Sequence, residues 1–141
     1  GERLGPIGPL PACWSVLVHP ALKMSTASAY AALGLGPNPE STRERTPRFQ
    51  NAIRSLETGS WAAALYNRME SAVFDLHPEL APVKARLGSA GCLAALMSGS
   101  GPTVFGLCGD EATARRVAAA MEPLRCTVAP FVERGVVRQQ Q

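Results

Sequence analysis

The stretch of this sequence best suited to chemistry is Ser98-Gly99-Ser100-Gly101-Pro102. Two glycines lack the Cβ that forbids positive φ, so the backbone can turn sharply, approach a ligand and aim consecutive N–H groups into one concavity. Two serine hydroxyls add donors. Such a loop suits phosphate oxygens, and it also suits an ordinary hairpin turn. It is not a Walker A loop, which needs G-x-x-x-x-G-K-[ST] and runs from a strand into a helix. It fails G-x-G-x-x-G, because Val104 stands three residues beyond Gly101 and no helix follows. It also fails the G-x-S-x-G elbow, because position 98 is Ser.

Other side chains with chemical potential are scattered. His19 and His77 each precede a proline and read as residues ending a strand and a helix. Tyr30 can stack on a planar ligand or cover an amphipathic helix. Arg43, Arg45 and Arg48, near Glu44, form a solvated cluster or an anion site. Glu70, Asp75 and Glu79 make no carboxylate pair for acid–base work. Cys13, Cys92, Cys108 and Cys126 show no C-x-x-C spacing and no nearby histidine pair, so zinc and dithiol redox chemistry find no support. They read as buried free thiols of a reducing, cytoplasmic compartment. No nucleophile, base and orienting group can be assembled, so we expect no catalytic and no metal-binding residue in this chain.

The elements that must position the loop follow from pattern. Trp14-Ser15-Val16-Leu17-Val18 is a β-branched run ended by His19-Pro20, and reads as a strand. Ser25 or Thr26 offers an N-cap for a helix over 27–33, with Gly34 as its stop. Residues 34–49 are rich in Gly, Pro, Ser and Arg and read as a linker. Ala52, Ile53 and Leu56 mark a short helix closed by Gly59. Ser60 then opens a longer one, with Trp61, Leu65, Met69, Ala72 or Val73, and Leu76 on one face. Pro78 starts a helix reaching about Leu87, and Gly88-Ser89-Ala90-Gly91 breaks it.

The period then changes. Residues 93–97 and 103–108 are two apolar strands, and the five-residue loop between them favours an antiparallel hairpin over a crossover. Asp110 caps a helix whose Ala114, Val117, Ala118 and Met121 share a face, Pro123 stops it, and 125–132 is a last strand. The tail 138–141 reads as frayed. The order strand, helices, strand, loop, strand, helix, strand predicts an α+β fold, a ferredoxin-like sandwich with extra helices inserted in the first crossover.

Composition sets the outer limits. A chain of 141 residues, 46% hydrophobic and 18% charged, is one compact domain and is too apolar to be disordered. A net charge of +3 is too weak to argue for a nucleic-acid partner, and no apolar run approaches the roughly 20 residues of a membrane span. The first residue is not Met and the next Met is Met24, which reads as a truncated or excised chain.

Leu96-Met97-Ser98-Gly99-Ser100-Gly101-Pro102-Thr103-Val104-Phe105-Gly106-Leu107 resembles the third motif of the GHMP kinases, the family of galactokinase, homoserine kinase and mevalonate kinase. Three more stretches resemble the branch acting on a cytidine-diphosphate polyol of the non-mevalonate isoprenoid route. They are Gly1-Glu2 with a following Leu and Pro, His19-Pro20 through Ser25-Thr26 to Tyr30, and Asn67-Arg68-Met69-Glu70 ahead of Phe74 and Pro78. The resemblance implies that residues 1–141 form the C-terminal domain of an ATP-dependent small-molecule kinase. The N-terminal domain would then carry the phosphate loop, the catalytic aspartate and a nearby lysine, and most of the hold on ATP and Mg²⁺.

Carried over by position, Gly99, Ser100 and Gly101 would hold ATP phosphates, and Thr26 and Tyr30 would line the cytidine pocket. Arg68 stands where the family often has Asp, so the 67–70 stretch carries a structural role and no site. Homoserine, mevalonate or a sugar as acceptor remains the alternative within the family. A ferredoxin-like binding or regulatory module is the alternative outside it. An RNA-binding sheet would need more strand aromatics than Phe105 and Phe131.

Overall fold

The computed structural model describes residues 10–34 and 42–132, with the side chains of 42–47 left aside. Four strands, β1 (Trp14–His19), β2 (Ala94–Met97), β3 (Val104–Cys108) and β4 (Arg125–Pro130), pair antiparallel in the order β2-β3-β1-β4. Five helices lie between β1 and β2: α1 (Thr26–Ala32), α2 (Thr42–Glu57), α3 (Trp61–Ala64), α4 (Glu70–Leu76) and α5 (Leu80–Ser89). A sixth, α6 (Glu111–Ala120), joins β3 to β4. The fold is α+β, as the element order implies.

Period-two alternation sorts the sheet. Val16 and Val18 on β1 stand beside Val104 on β3 and Cys126 and Val128 on β4, and this face packs on α5 and α6 through Val83, Leu87, Ala114, Val117 and Met121. Ser15 and Leu17 take the opposite face. There Trp61 of α3 packs with Cys13, Ala94 and Leu107, and meets Phe131 edge-on at 6.1 Å between ring centroids. A third cluster, Ala29, Val73, Leu80 and Met97, ties α1 and α4 to the end of β2.

Gly106 lies at the centre of the sheet, where no turn requires it. A Cβ there would overlap Cys92 Sγ and sit 3.2 Å from both Cys92 Cβ and Leu87 Cδ2, so its bare backbone is the seat for Cys92.

Several expectations are corrected. The helix expected over 60–76 is two helices, α3 and α4, separated by the extended segment beginning at Leu65, whose ψ is 129°. Helix α2 begins at Thr42 and takes the last eight positions of the expected linker; residues 35–41 lie outside the described residues. The helix expected to stop near Leu87 runs to Ser89, and β4 ends at Pro130 rather than at 132. Gly1-Glu2 and the 138–141 tail also lie outside the described residues. Asp110 does cap α6: its carboxylate accepts from the Thr113 N–H at 2.7 Å and the Thr113 hydroxyl at 2.9 Å.

Two outcomes follow from this packing. Gly106→Ala should cost about 1–3 kcal/mol of unfolding free energy, the range of an overpacked core, and substantially less when made in a Cys92→Ala background. Paired urea titrations of the four proteins check it, and additive costs would refute the seat. The hydrogen bonds from Thr113 hold the Asp110 carboxyl below the ordinary aspartate range. Its contribution is therefore complete above about pH 4 and is lost as pH falls through the lowered folded value. The gap in urea midpoint between the parent and Asp110→Ala should narrow from pH 7 to pH 3.

Candidate functional site

The hairpin between β2 and β3 closes with two backbone bonds: the Ser98 N–H donates to the Thr103 carbonyl and the Gly101 N–H donates to the Ser98 carbonyl, both at 2.8 Å. Gly99 and Gly101 have φ of +54° and +80°, the left-handed region where a Cβ is strained. They are needed for different reasons. A Cβ on Gly99 would meet nothing within 4 Å, so only the backbone requires glycine there. A Cβ on Gly101 would stand 2.5 Å from Met24 Cε and 2.8 Å from Met97 Sδ, so this glycine also makes room for the core. Ser98 and Gly99 are exposed, and Ser100 to Thr103 are half-buried. The loop therefore opens to solvent. Among the described residues no acceptor engages the Gly99 or Ser100 amide, which leaves two adjacent backbone donors at the tip.

Two elements remote in sequence converge on this loop. Helix α1 begins against it, with Thr26 Oγ1 and Ser100 Oγ sharing a hydrogen bond at 3.2 Å. Tyr30, one turn further on and on the same face, is 57% exposed, so it is not the core-covering residue that amphipathic spacing allows. Helix α1 is anchored by Ala29, which is fully buried against Val73, Leu80 and Met97. The structure thus brings Thr26 against Ser100, with Gly99 and Gly101 in the same loop, and Tyr30 stands exposed one helical turn beyond Thr26.

The second element is the turn leading into α4. Asn67 Nδ2 donates to the Met97 carbonyl and to the Gly99 carbonyl, each at 2.8 Å, while its Oδ1 accepts from the Met69 N–H at 2.9 Å. Glu70 Oε2 accepts from the Met97 N–H at 2.8 Å, and Glu70 Oε1 pairs with Lys84 Nζ of α5. Strand β2 is a sheet edge, and Asn67 and Glu70 take the carbonyl and amide of its last residue in place of a neighbouring strand. Composition and spacing did not reveal this role. The signal was an asparagine inside an apolar helical pattern, where such a side chain competes with the helix for backbone groups.

The remaining expected residues lie apart from the loop's bonding. His19 ends β1 and bonds Thr127 Oγ1 at 3.0 Å, while His77 caps α4 and faces Glu79 at 3.4 Å. The Arg48 guanidinium stands over the Tyr66 ring at 5.2 Å, beside a surface cleft of about 480 Å³ between α2 and α3. Arg43, Glu44 and Arg45 have side chains outside the described residues.

All four cysteines are free; Cys13 and Cys108 are buried as expected, but Cys92 and Cys126 are only half-buried. Burial pushes all four thiols up, Cys92 to about 12, so thiolate chemistry is suppressed. Among the described residues no three His, Cys, Asp or Glu side chains gather where a metal ion could sit, and no helix is long and apolar enough to cross a membrane. The surface offers hydroxyl, amide and aromatic groups: it can bind and orient.

The sequence profile of the GHMP kinases C terminal family matches residues 51–125. The chain is similar to 4-diphosphocytidyl-2-C-methyl-D-erythritol kinase of Pelotomaculum thermopropionicum, with 43% identity over 119 residues, 84% of this chain and 41% of that protein. The enzyme of the same name from Bacillus subtilis is 38% identical over 83% of this chain and 39% of its own length. The chain therefore spans about two fifths of the curated relatives it matches. A crystal structure of 4-(cytidine 5'-diphospho)-2C-methyl-D-erythritol kinase superposes with a TM-score of 0.70 at 32% identity, covering 92% of this chain and 46% of that one. Homoserine kinase from Cytophaga hutchinsonii, at 22% identity and a TM-score of 0.67 over 88% of this chain and 43% of its own, shares the fold.

The two glycines should respond differently to one methyl group. Gly99→Ala should cost about 1–2 kcal/mol, the left-handed backbone penalty alone. Gly101→Ala adds the contact with Met24 and Met97 and should cost about 1–3 kcal/mol more. Thermal or urea unfolding of both variants checks the order, and equal losses would show that the Met24–Met97 wall yields freely.

Proposed function

The chain belongs to the GHMP kinases C terminal family, and on that footing we propose that it is the C-terminal part of an ATP-dependent kinase. The kinase moves the γ-phosphoryl group of ATP to the 2-hydroxyl of 4-diphosphocytidyl-2-C-methyl-D-erythritol, a step of non-mevalonate isoprenoid synthesis. The relatives at 43% and 38% identity carry that enzyme's name, and their greater length leaves room for an N-terminal kinase domain as the partner of this one. The sheet order β2-β3-β1-β4, with two helices on one face, supports a ferredoxin-like reading of the domain, with the helices between β1 and α5 as its insertion. Four free thiols suit a reducing cytoplasm.

One observation carries the functional reading. The Thr26–Ser100 hydrogen bond holds the start of α1 against the glycine–serine loop, with the exposed Tyr30 ring one helical turn beyond it and a pair of backbone donors on the loop. A cytidine diphosphate substrate and a triphosphate need that juxtaposition: a face on which the base can stack, beside donors for phosphate oxygens. In the proposed site Tyr30 stacks on the cytosine ring, Thr26 lines the same pocket, and the Gly99 and Ser100 amides donate to ATP phosphates as charge moves to the leaving group. The loop's donors are the groups that fit ATP. Mg²⁺, when bound, would offset phosphate charge; among the described residues no cluster of His, Cys, Asp or Glu could hold it, and we assign its ligands to the other domain.

Glu70 is the nearest carboxylate in this bonding network, and it is engaged by the Met97 N–H and by Lys84. It is unsuited to take a proton from the acceptor hydroxyl, so the base belongs to the N-terminal domain. Homoserine or mevalonate as acceptor gives the exposed Tyr30 ring no base to stack on.

The test compares this chain alone with the polypeptide that also carries the N-terminal kinase domain. The longer protein should turn over ATP and the cytidine substrate, while the isolated chain should not. In the longer protein, Tyr30→Ala should raise KM for the cytidine substrate about tenfold, within the range of one stacking contact, and leave KM for ATP unchanged. Turnover by the isolated chain, or an unchanged KM in the variant, would overturn the assignment.

A further inference from the structure

We infer that Asn67 is a positioning residue of the phosphate-holding loop, acting with Glu70 as a clamp that fixes where the Gly99 and Ser100 amides point. The inference rests on the phosphate-binding reading above and deepens it.

The chemistry of the Asn67 amide is nearly used up. Its NH₂ group has two protons to donate, and Nδ2 lies 2.8 Å from both the Met97 and Gly99 carbonyl oxygens. Its Oδ1 is turned back to the Met69 N–H, which fixes the amide plane. The two carbonyls bracket Ser98, so one side chain spans the point where the ladder stops and the turn begins. The peptide that carries the Gly99 carbonyl also carries the Ser100 N–H. Holding that oxygen therefore aims that donor outward, away from Asn67. Glu70 completes the clamp from the other side of the same residue, taking the Met97 N–H, and Lys84 holds Glu70 in turn. Met97 is 1% exposed, so water does not compete for its amide and carbonyl. A loop with two left-handed glycines has little stiffness of its own, and this clamp supplies it.

Asn67→Asp is the sharpest variant, because it keeps the shape and the acceptor but cannot donate when ionised and sets a carboxylate against two carbonyls. Asn67→Ala removes the same donors without adding charge, and serves if the aspartate variant does not fold. Amide exchange on the 141-residue chain should speed up by about tenfold or more at Ser98 and Gly101, whose N–H groups are hydrogen-bonded across the turn, with β1 and α6 unchanged. In the polypeptide that includes the N-terminal kinase domain, kcat/KM for ATP should fall about 10–100-fold while KM for the cytidine substrate holds. A merely structural loss would scale every activity with the folded fraction and leave that split absent.

Unchanged loop exchange in both variants would overturn the clamp, whatever the protein's activity. A loosened loop with unaltered ATP kinetics would overturn its role in positioning. Absence of turnover in the parent longer polypeptide would instead sink the kinase assignment, with the exchange measurement still deciding the clamp.

Discussion

An edge strand that ends in a solvent-open loop has a problem of its own: its outward backbone groups have no neighbouring strand, yet its last residue is buried. Met97 is such a residue, and leaving its N–H and C=O unpaired would cost about 1–3 kcal/mol for each group. Glu70 and Asn67 answer the two groups one each. The solution needs an acceptor and a donor three residues apart at the opening of α4, a charge partner on α5, and the packing of α4 against α1. Much of the helical region between β1 and β2 can be read as what it takes to keep those two side chains in place.

The same cluster serves the other half of the surface. Ala29, Val73, Leu80 and Met97 pack together, so α1, α4, the start of α5 and the end of β2 share one small apolar contact set. Met24, just before α1, presses with Met97 on the bare Cα of Gly101. Thr26 and Ser100, far apart in the chain, meet because their supports are the same residues. A shift of α1 would therefore move Tyr30 and the loop together.

Local patterns carried much of the fold in advance. Alternation in 14–18 and 103–108 is a property of a few adjacent residues, as are the Asp110 cap and the five-residue hairpin, and each stands close to where the sequence places it. The reading failed where two patterns coincide. Trp61, Leu65, Met69 and Val73 fit one helical face, yet Trp61 packs under the sheet with Leu107 while Val73 packs with Ala29. Spacing cannot distinguish one long face from two short ones aimed at different cores. Helix α2 was hidden for the opposite reason: its polar, proline-containing sequence shows no apolar stripe over its first half. The loop residues were legible because their types are rare in combination. The bonding of Asn67 was not, because its partners are two backbone carbonyls that no side-chain pattern records.

The chemistry of the surface also explains why it holds no acid or base. A loop that presents neutral amides to a polyanion stabilises charge wherever it develops, and it gains from having no carboxylate nearby to repel the ligand. Glu70 is the exception in the network, and it is silenced by geometry: one oxygen is bound to the Met97 amide and the other to Lys84. Proton transfer requires a group with a free lone pair facing the acceptor, so placing one beside this loop would trade binding against reactivity. In the proposed two-domain kinase, separating the two tasks removes that conflict: this side would hold phosphate and base, and the other would carry the proton-accepting group. On this reading the fold is built to keep a neutral surface still, and the braced end of β2 is where that stillness originates.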